Sequence, residues 1–352
     1  MRGALPHLPP TTTAAPAAVG SGFGTAGLSA PSCGPYSLLT FGGGALGVGV
    51  EQGLTDADLP GIQQLADKTS LAGQASYLRL TKIRLWATVT AALCGAVGLI
   101  GALPGPVDHG LDAASLMAFI VALAAEILLL RTRPEEAWYQ GRAVAESLKS
   151  LAWKYATRAQ PFHDIGDEEA ASLFRRKIRS VLDVLPEGVV PEPELPAQIS
   201  TGMRELRAAP LSVRITAYKR GRIADQRLWY ARKARFNEER SQRWRLTLLG
   251  LELAGAFGAF LLLLDLTDFD PGGLLAVLVA AGGAWLEVKQ YDNLASAYAL
   301  TSTELLLVEG EGEGVVTEED FAHYVVSAEQ AISREHTMWG ARRLRARGRP
   351  QE

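Results

Sequence analysis

Four apolar blocks interrupt an otherwise polar chain, at 85–103, 113–130, 246–264 and 272–288. Each runs 17–19 residues. As helices they cover about 26–28 Å at about 1.5 Å per residue, close to the about 30 Å of a hydrocarbon core. The blocks come in two pairs joined by short connections, 104–112 and 265–271, so each pair predicts a transmembrane helical hairpin. Neither connection carries Lys or Arg; they hold Asp108 and Asp112, then Asp265, Asp268 and Asp270. The outer flanks are the reverse. Arg79, Lys82 and Arg84 precede the first span, and Arg131 and Arg133 follow the second. Arg232, Lys233, Arg235, Arg240, Arg243 and Arg245 precede the third, and Lys289 follows the fourth. The positive-inside rule then places both termini and the long middle segment in the cytoplasm, at the cell (inner) membrane.

Between and after the hairpins the pattern changes to helical amphipathicity. Within 134–160, Trp138, Ala145, Leu148, Ala152 and Tyr155 are spaced to share one helix face, and Pro134 suits a first turn. Within 167–185 the face is Phe174, Ile178, Val181, Leu182 and Leu185, with Asp167 as a cap. Residues 186–196 hold four prolines and three glutamates and read as a linker. The segment 211–244 lacks proline and predicts one long Arg-rich helix running into the third span, its cations set against anionic headgroups. Residues 290–308 continue the fourth span. A last helix over 317–339 carries Phe321, Val325, Ala328 and Ile332 on one face, opened by a capping box of Thr317 and Asp320.

The fold class is therefore all-α. It is an integral membrane protein with two hairpins (four spans) and long amphipathic cytoplasmic helices forming a bundle. The expected divisions are a low-complexity start at 1–53, a first unit at 54–185, a Pro-rich linker at 186–209, a second unit at 210–340 and a basic tail at 341–352.

Composition adjusts this picture at three points. Of 352 residues, 48 % are hydrophobic and 21 % charged, yet mean hydropathy is +0.08, so the apolar residues are concentrated rather than spread. The formal net charge of −3 argues against a nucleic-acid binder driven by overall charge. The two cysteines, Cys33 and Cys94, form neither a disulfide framework nor a zinc site. Residues 1–50 hold one formal charge, Arg2, and are expected to stay unfolded. Their GxGxxG match (Gly22, Gly24, Gly27) has no strand or helix around it and reads as chance. Translation starting near Val48 or Val50 is a further expectation.

Inside the spans two groups invite a role. Glu126, five residues from Arg131, either pairs or snorkels at the boundary or contributes to an intramembrane polar path. Glu252 lies seven residues inside Arg245, about 10 Å deep. It is read as a helix–helix hydrogen-bonding group or as a pore-lining one. Gly95, Gly98 and Gly101, and Gly250, Gly255 and Gly258, give small-residue faces for close helix packing. Gly282 and Gly283 do the same or act as a gate hinge.

The two halves share one plan, and after the second span of each, Tyr139, Ala143, Ala145, Leu148 and Ser150 align with Tyr291, Ala295, Ala297, Leu300 and Ser302. The shift is a constant 152 residues, which points to duplication. The run Trp138, Gly141, Arg142, Ala145, Glu146, Ser147, Lys149, Ala152, Trp153, Lys154 and Tyr155 after a two-span hairpin resembles the SLATT family, including members catalogued as domain of unknown function 4231. Arg227, Leu228, Trp229, Tyr230, Lys233, Ala234, Asn237, Trp244 and Arg245 resemble the basic approach helix of another SLATT subfamily. The resemblance covers about residues 55–340. It implies two membrane helices plus a helical extension per unit, and a membrane-perturbing or pore-forming effector role in bacterial conflict systems, beside nucleotide second messengers. It brings no catalytic residues.

No GxxxxGK[ST], HExxH, CxxC or GxSxG occurs, and five scattered histidines have no ligand spacing. The chain is accordingly expected not to be an enzyme and to need no cofactor or metal. Its expected partners are the lipid bilayer, further copies of itself, and a cytoplasmic regulatory protein or nucleotide signal, with no specific nucleic acid. Four helices are too few to line a wet path, so a pore requires a homo-oligomer gated through the cytoplasmic helices. The rival expectation is a non-conducting membrane scaffold or sensor whose cytoplasmic helices bind a partner protein.

Overall fold

The computed structural model describes residues 53–98, 104–182, 194–266 and 272–347. Most of the low-complexity start, residues 186–193 of the Pro-rich linker and the end of the tail lie outside the described residues. Among those described there is no strand. Four helical stretches are long and apolar enough to cross a membrane, which matches the four blocks read from the sequence.

Each unit is one long helix packed against two shorter ones. In the first unit, α1 (Gly61–Gly98) packs on α2 (Gly105–Thr132) and α3 (Pro134–Ala156). Its 38 residues reach about 57 Å at 1.5 Å per residue. One end therefore lies in the hairpin with α2 and the other runs beside α3. α4 (Asp167–Leu182), α5 (Thr201–Ala208) and α6 (Leu211–Tyr218) follow. A π-helical turn, Lys219–Ala224, leads into α7 (Asp225–Leu263). In the second unit α7 packs on α8 (Gly272–Lys289) and α9 (Tyr291–Glu311), repeating the first arrangement. The chain ends in α10 (Glu318–Arg347).

Both returning spans break from the helices that follow them at a single left-handed residue. Arg133 has φ 39° and ψ 52°, and Gln290 has φ 48° and ψ 40°. Neither is glycine, so each break holds a conformation that costs an L side chain about 1–2 kcal/mol.

Three sequence expectations change in detail. The first connection is shorter than read, because α2 already begins at Gly105. Proline is tolerated in a first turn, where its missing N–H has no partner to lose, and Asp108 sits favourably at the positive end of the dipole. The helix expected over 134–160 stops at Ala156. The long helix from residue 211 runs to Leu263, but with a π turn inside it.

The apolar faces pack as their spacing predicts. Leu148, Ala152 and Tyr155 of α3 and Phe174 and Ile178 of α4 join Leu59, Ala66, Phe162 and Met203 in one core. Phe321, Val325, Ala328 and Ile332 of α10 join Trp153, Tyr218, Ile223, Tyr230 and Leu305 in a second. Trp153 belongs to the first unit by sequence, so this second core joins the units. Thr317 Oγ1 accepts from Asp320 N at 3.1 Å, which is half of the expected capping box, and the Asp320 carboxylate accepts from the Thr317 hydroxyl at 2.6 Å.

Candidate functional site: intramembrane carboxylates and a buried charge node

The two intramembrane carboxylates meet different fates. Glu126 on α2 pairs with Arg84 on α1, across the first hairpin. Its partner is the cation before the first span rather than the neighbouring Arg131. Glu252 on α7 is exposed and makes no hydrogen bond or ion pair among the described residues. It lies on an outward face with Leu249, Leu253 and Phe257, all exposed. A carboxylate in that position meets lipid, water or another copy of the chain. Hydrocarbon is the costly case.

The glycine faces also divide. Gly258 is buried, and a Cβ on Gly255 would touch Leu275 of α8 at 3.7 Å, so this face packs the second hairpin. A Cβ on Gly282 would meet Leu248 Cδ2 at 2.6 Å. Around Gly95, Gly250 and Gly283 there is open space. Helix α8 runs unbroken through 282–283.

The family-motif residues build the joint between α1 and α3 and the core beyond it. A Cβ on Gly141 would lie 2.9 Å from Ala66 O and 3.0 Å from Ser70 N, both backbone, so α1 and α3 cross at backbone contact. Ser70 Oγ donates to Trp138 O at 2.9 Å in the same crossing. Trp138 stacks on Tyr139 at 4.9 Å. Arg142 pairs with Glu146 at 3.1 Å, and Lys149 with Asp56 at 3.6 Å. Trp153 meets the Tyr218 ring edge-on at 5.6 Å. In the second unit Trp229 and Tyr230 pack on Tyr298, Lys233 lies over Trp229 at 5.8 Å, and Asn237 Nδ2 donates to Lys233 O at 2.7 Å.

Sequence reasoning missed the most deeply buried ion pair among the described residues. Arg222, in the π turn, and Glu329, in the middle of α10, are 1 % and 0 % exposed. They form a two-pronged pair, Nε to Oε1 at 2.9 Å and Nη2 to Oε2 at 2.8 Å. Tyr218 OH donates to Oε1 at 3.1 Å, and Ser150 Oγ, from α3 of the first unit, donates to Oε2 at 2.6 Å. Burial by itself pushes the Glu329 carboxyl up. The Arg222 charge and hydrogen bonds, with those of Ser150 and Tyr218, outweigh it and hold the group below its ordinary value. Burial likewise pushes Arg222 down and Glu329 more than compensates. Tyr218 is driven well up, by burial first and then by the Glu329 charge. Arg222 Nη1 has no hydrogen-bond partner among the described residues, and the Glu146 charge acts on the same guanidinium.

Two further arginines turn inward, and the second of them, Arg214, links the two units through Glu318. Arg207 is buried and donates to the Tyr155, Phe162 and Ile165 carbonyls and to Asp167. Arg214 donates to Thr157 O and Ala209 O at 3.0 Å and pairs with Glu318. The first half of the Arg-rich segment thus serves packing, whereas the sequence assigned it wholly to headgroups. Its cations near the membrane, Arg232, Arg235 and Arg243, remain exposed. The signal for the node was present. Glu329 falls four residues after Val325 and three before Ile332, which puts a carboxylate on the buried face of α10.

No curated protein and no solved structure matches the chain. Two family models do. Residues 60–215 match SMODS and SLOG-associating 2TM effector domain 3, and residues 218–339 match SMODS and SLOG-associating 2TM effector domain 1. The break between the matches falls just before the π turn that carries Arg222. With each matched domain built on one two-helix hairpin and one helical extension, this chain belongs to the SLATT family as a tandem pair of membrane effector domains.

Proposed function

We propose that the protein perturbs the inner membrane of a bacterial cell as a homo-oligomer. It forms a pore around α7, gated through the cytoplasmic helices, as the effector arm of a conflict system. The observation that carries the reading is Glu252: an unpaired carboxylate on an outward face of the span, set among exposed leucines and Phe257. A single chain offers it only lipid. A ring of copies offers it a wet lumen, where repeated carboxylates favour cations. Both termini and the α3, α9 and α10 bundle lie in the cytoplasm in this reading, following the basic flanks. Each returning span passes directly into a bundle helix through Arg133 or Gln290, so a ligand or partner that shifts the bundle has a short mechanical route to the hairpins. The reading assigns no catalytic step and no cofactor.

The test is induced expression with a membrane-potential dye, comparing the wild type with Glu252→Gln. Depolarisation by the wild type that Glu252→Gln changes supports a lumen position. A correctly inserted wild-type protein that leaves potential and growth untouched overturns the pore and leaves a non-conducting scaffold.

A further inference from the structure

Where the two hairpins meet, at the basic edge of the spans, the structure gathers cations without anions. Lys82 of α1 lies over the Trp285 ring of α8 at 5.5 Å, and Lys289 lies over the same ring at 5.5 Å. Lys289 also stands 5.8 Å from the Tyr291 ring. Arg79 is one turn before Lys82 on α1. None of Arg79, Lys82 and Lys289 forms an ion pair with a described residue, whereas Arg84, two residues from Lys82, pairs with Glu126, and Arg227 and Arg245 of α7 are paired as well. Glu287 is two residues from both Trp285 and Lys289, hence about 200° around the helix from each. Two ammonium groups on one ring repel each other. Burial first, and then the charges of Lys82 and Arg240, push the Lys289 pKa down.

An open groove of about 710 Å³ runs from this cluster down the first hairpin. Arg79 and Lys82 line its mouth; Ile83, Trp86, Met117 and Val121 line its wall. From Lys82 to Thr90, its deepest lining residue on α1, the groove descends about 12 Å at 1.5 Å per residue. It is thus cationic at the membrane edge and apolar along the depth of an acyl chain. Trp86 lines the groove and Trp285 lies beneath Lys82 and Lys289, and such amphipathic rings sit at headgroup level.

We propose that this junction is a binding site for one anionic phospholipid. The phosphate lies among Lys82, Lys289 and Arg79, and an acyl chain occupies the groove between α1 and α2. Charge complementarity selects the occupant. A zwitterionic lipid brings its own cation to the cluster, and a free anion leaves the groove empty. The bound lipid joins the hairpin of the first unit to α8 of the second, so it stabilises one arrangement of the two hairpins. The site requires only that the hairpins span a bilayer and holds whether or not they conduct.

The full-length protein in detergent is titrated with phosphatidylglycerol and, separately, with phosphatidylcholine of the same chains, and bound lipid is read by native mass spectrometry. The wild type retains phosphatidylglycerol in preference. Each basic residue near an anionic headgroup counts for about fivefold in binding, so K82Q/K289Q lowers phosphatidylglycerol affinity by about 25-fold. The same variant leaves phosphatidylcholine binding unchanged, and K82R/K289R keeps the preference. The proposal is overturned if the wild type shows no preference, if K82Q/K289Q binds phosphatidylglycerol as the wild type does, or if glycerol phosphate displaces the lipid at equal concentration. Should K82Q/K289Q fail to fold, the wild-type preference, the arginine variant and the glycerol phosphate competition still decide. None of these readouts depends on ion flux, so failure here and failure of the pore are separate results.

Discussion

Replacing Glu329 by Gln removes one charge and almost no volume, and it does so where water cannot compensate. Arg222 keeps its charge, since a guanidinium does not deprotonate in proteins. It then faces a neutral amide in place of a carboxylate that met it at 2.8 and 2.9 Å. Tyr218 OH and Ser150 Oγ lose a charged acceptor at the same moment. Breaking a buried pair from one side costs about 3–5 kcal/mol, while exchanging both members for apolar residues of similar size is often close to neutral. Arg222→Met with Glu329→Leu therefore costs far less than Glu329→Gln. It forfeits mainly the two hydroxyl contacts, each about 1 kcal/mol. A global unfolding curve is poorly defined for a chain of several cores in detergent. Native-state hydrogen exchange resolves the region instead. Three kcal/mol corresponds to about a hundredfold faster exchange in the peptides of α10 and α3. Exchange within about threefold of the wild type in Glu329→Gln, or a double variant as damaged as the single, would refute the account of the node.

Three other outcomes follow from the same geometry. Lowering the pH from neutrality first protonates Asp67 and Asp225, whose carboxyls burial pushes up, and relieves their cost. Glu329, held below its ordinary value, contributes its full stabilisation above that value and loses it only as the pH falls through the lower, folded one. Protection in α10 should thus hold down to the ordinary carboxylate value and fall progressively below it, and a loss beginning near pH 6 would contradict the assignment. Gly141→Val drives a side chain into the Ala66 and Ser70 backbone and should cost about 2–3 kcal/mol by exchange in α3. Gly95→Val, with open space around the position, should leave helix packing intact in the same measurement. Arg84 and Glu126 are each more than a third exposed, so exposed-pair screening applies to part of their attraction. Glu126→Ala should lower the thermal midpoint of the purified protein, and the exchange of Arg84→Glu with Glu126→Arg should recover most of it. A swapped pair worse than Glu126→Ala would show that position, rather than pairing, matters.

The spans were legible because 17–19 apolar residues with acidic turns have few other solutions. The apolar face of α10 was legible for the same kind of reason: Phe321, Val325, Ala328 and Ile332 are spaced at helical period, and all four are buried. What periodicity could not show is which neighbour covers a face. The repeat aligns Leu148 with Leu300, yet Leu148 is 0 % exposed and Leu300 is 55 % exposed. The first is covered by the start of α1, α4 and the 157–166 loop; in the second unit the corresponding face of α9 lacks that cover. Charge was misread for a related reason. An Arg-rich helix beside a bilayer suggests headgroups, but Arg214 and Arg222, eight residues apart in it, turn inward, as does Arg207 in the short helix before it. Their partners are carbonyls of 155–165, Glu318 and Glu329, far away in sequence. The π turn that presents Arg222 has no marker in the local sequence beyond Gly221.

The joint between the units could have been apolar. A core already surrounds it, with Trp153, Tyr218, Val325 and Ala328 in one cluster, and further apolar packing would serve stability as well as the Arg222–Glu329 pair does. A two-pronged charge pair differs in being satisfied in one register only: a shift of α10 along the π turn breaks both hydrogen bonds and strands both charges. π turns recur at functional positions, and this one opens the second matched domain and runs directly into α7, the helix that carries Glu252. If the pair sets the register that keeps the hairpins at rest, Arg222→Met with Glu329→Leu folds, inserts and still alters the depolarisation seen on expression, because the joint can slide without stranding a charge. If the pair serves only to hold the units together, that variant depolarises as the wild type does, and the register account fails while the exchange prediction for Glu329→Gln stands.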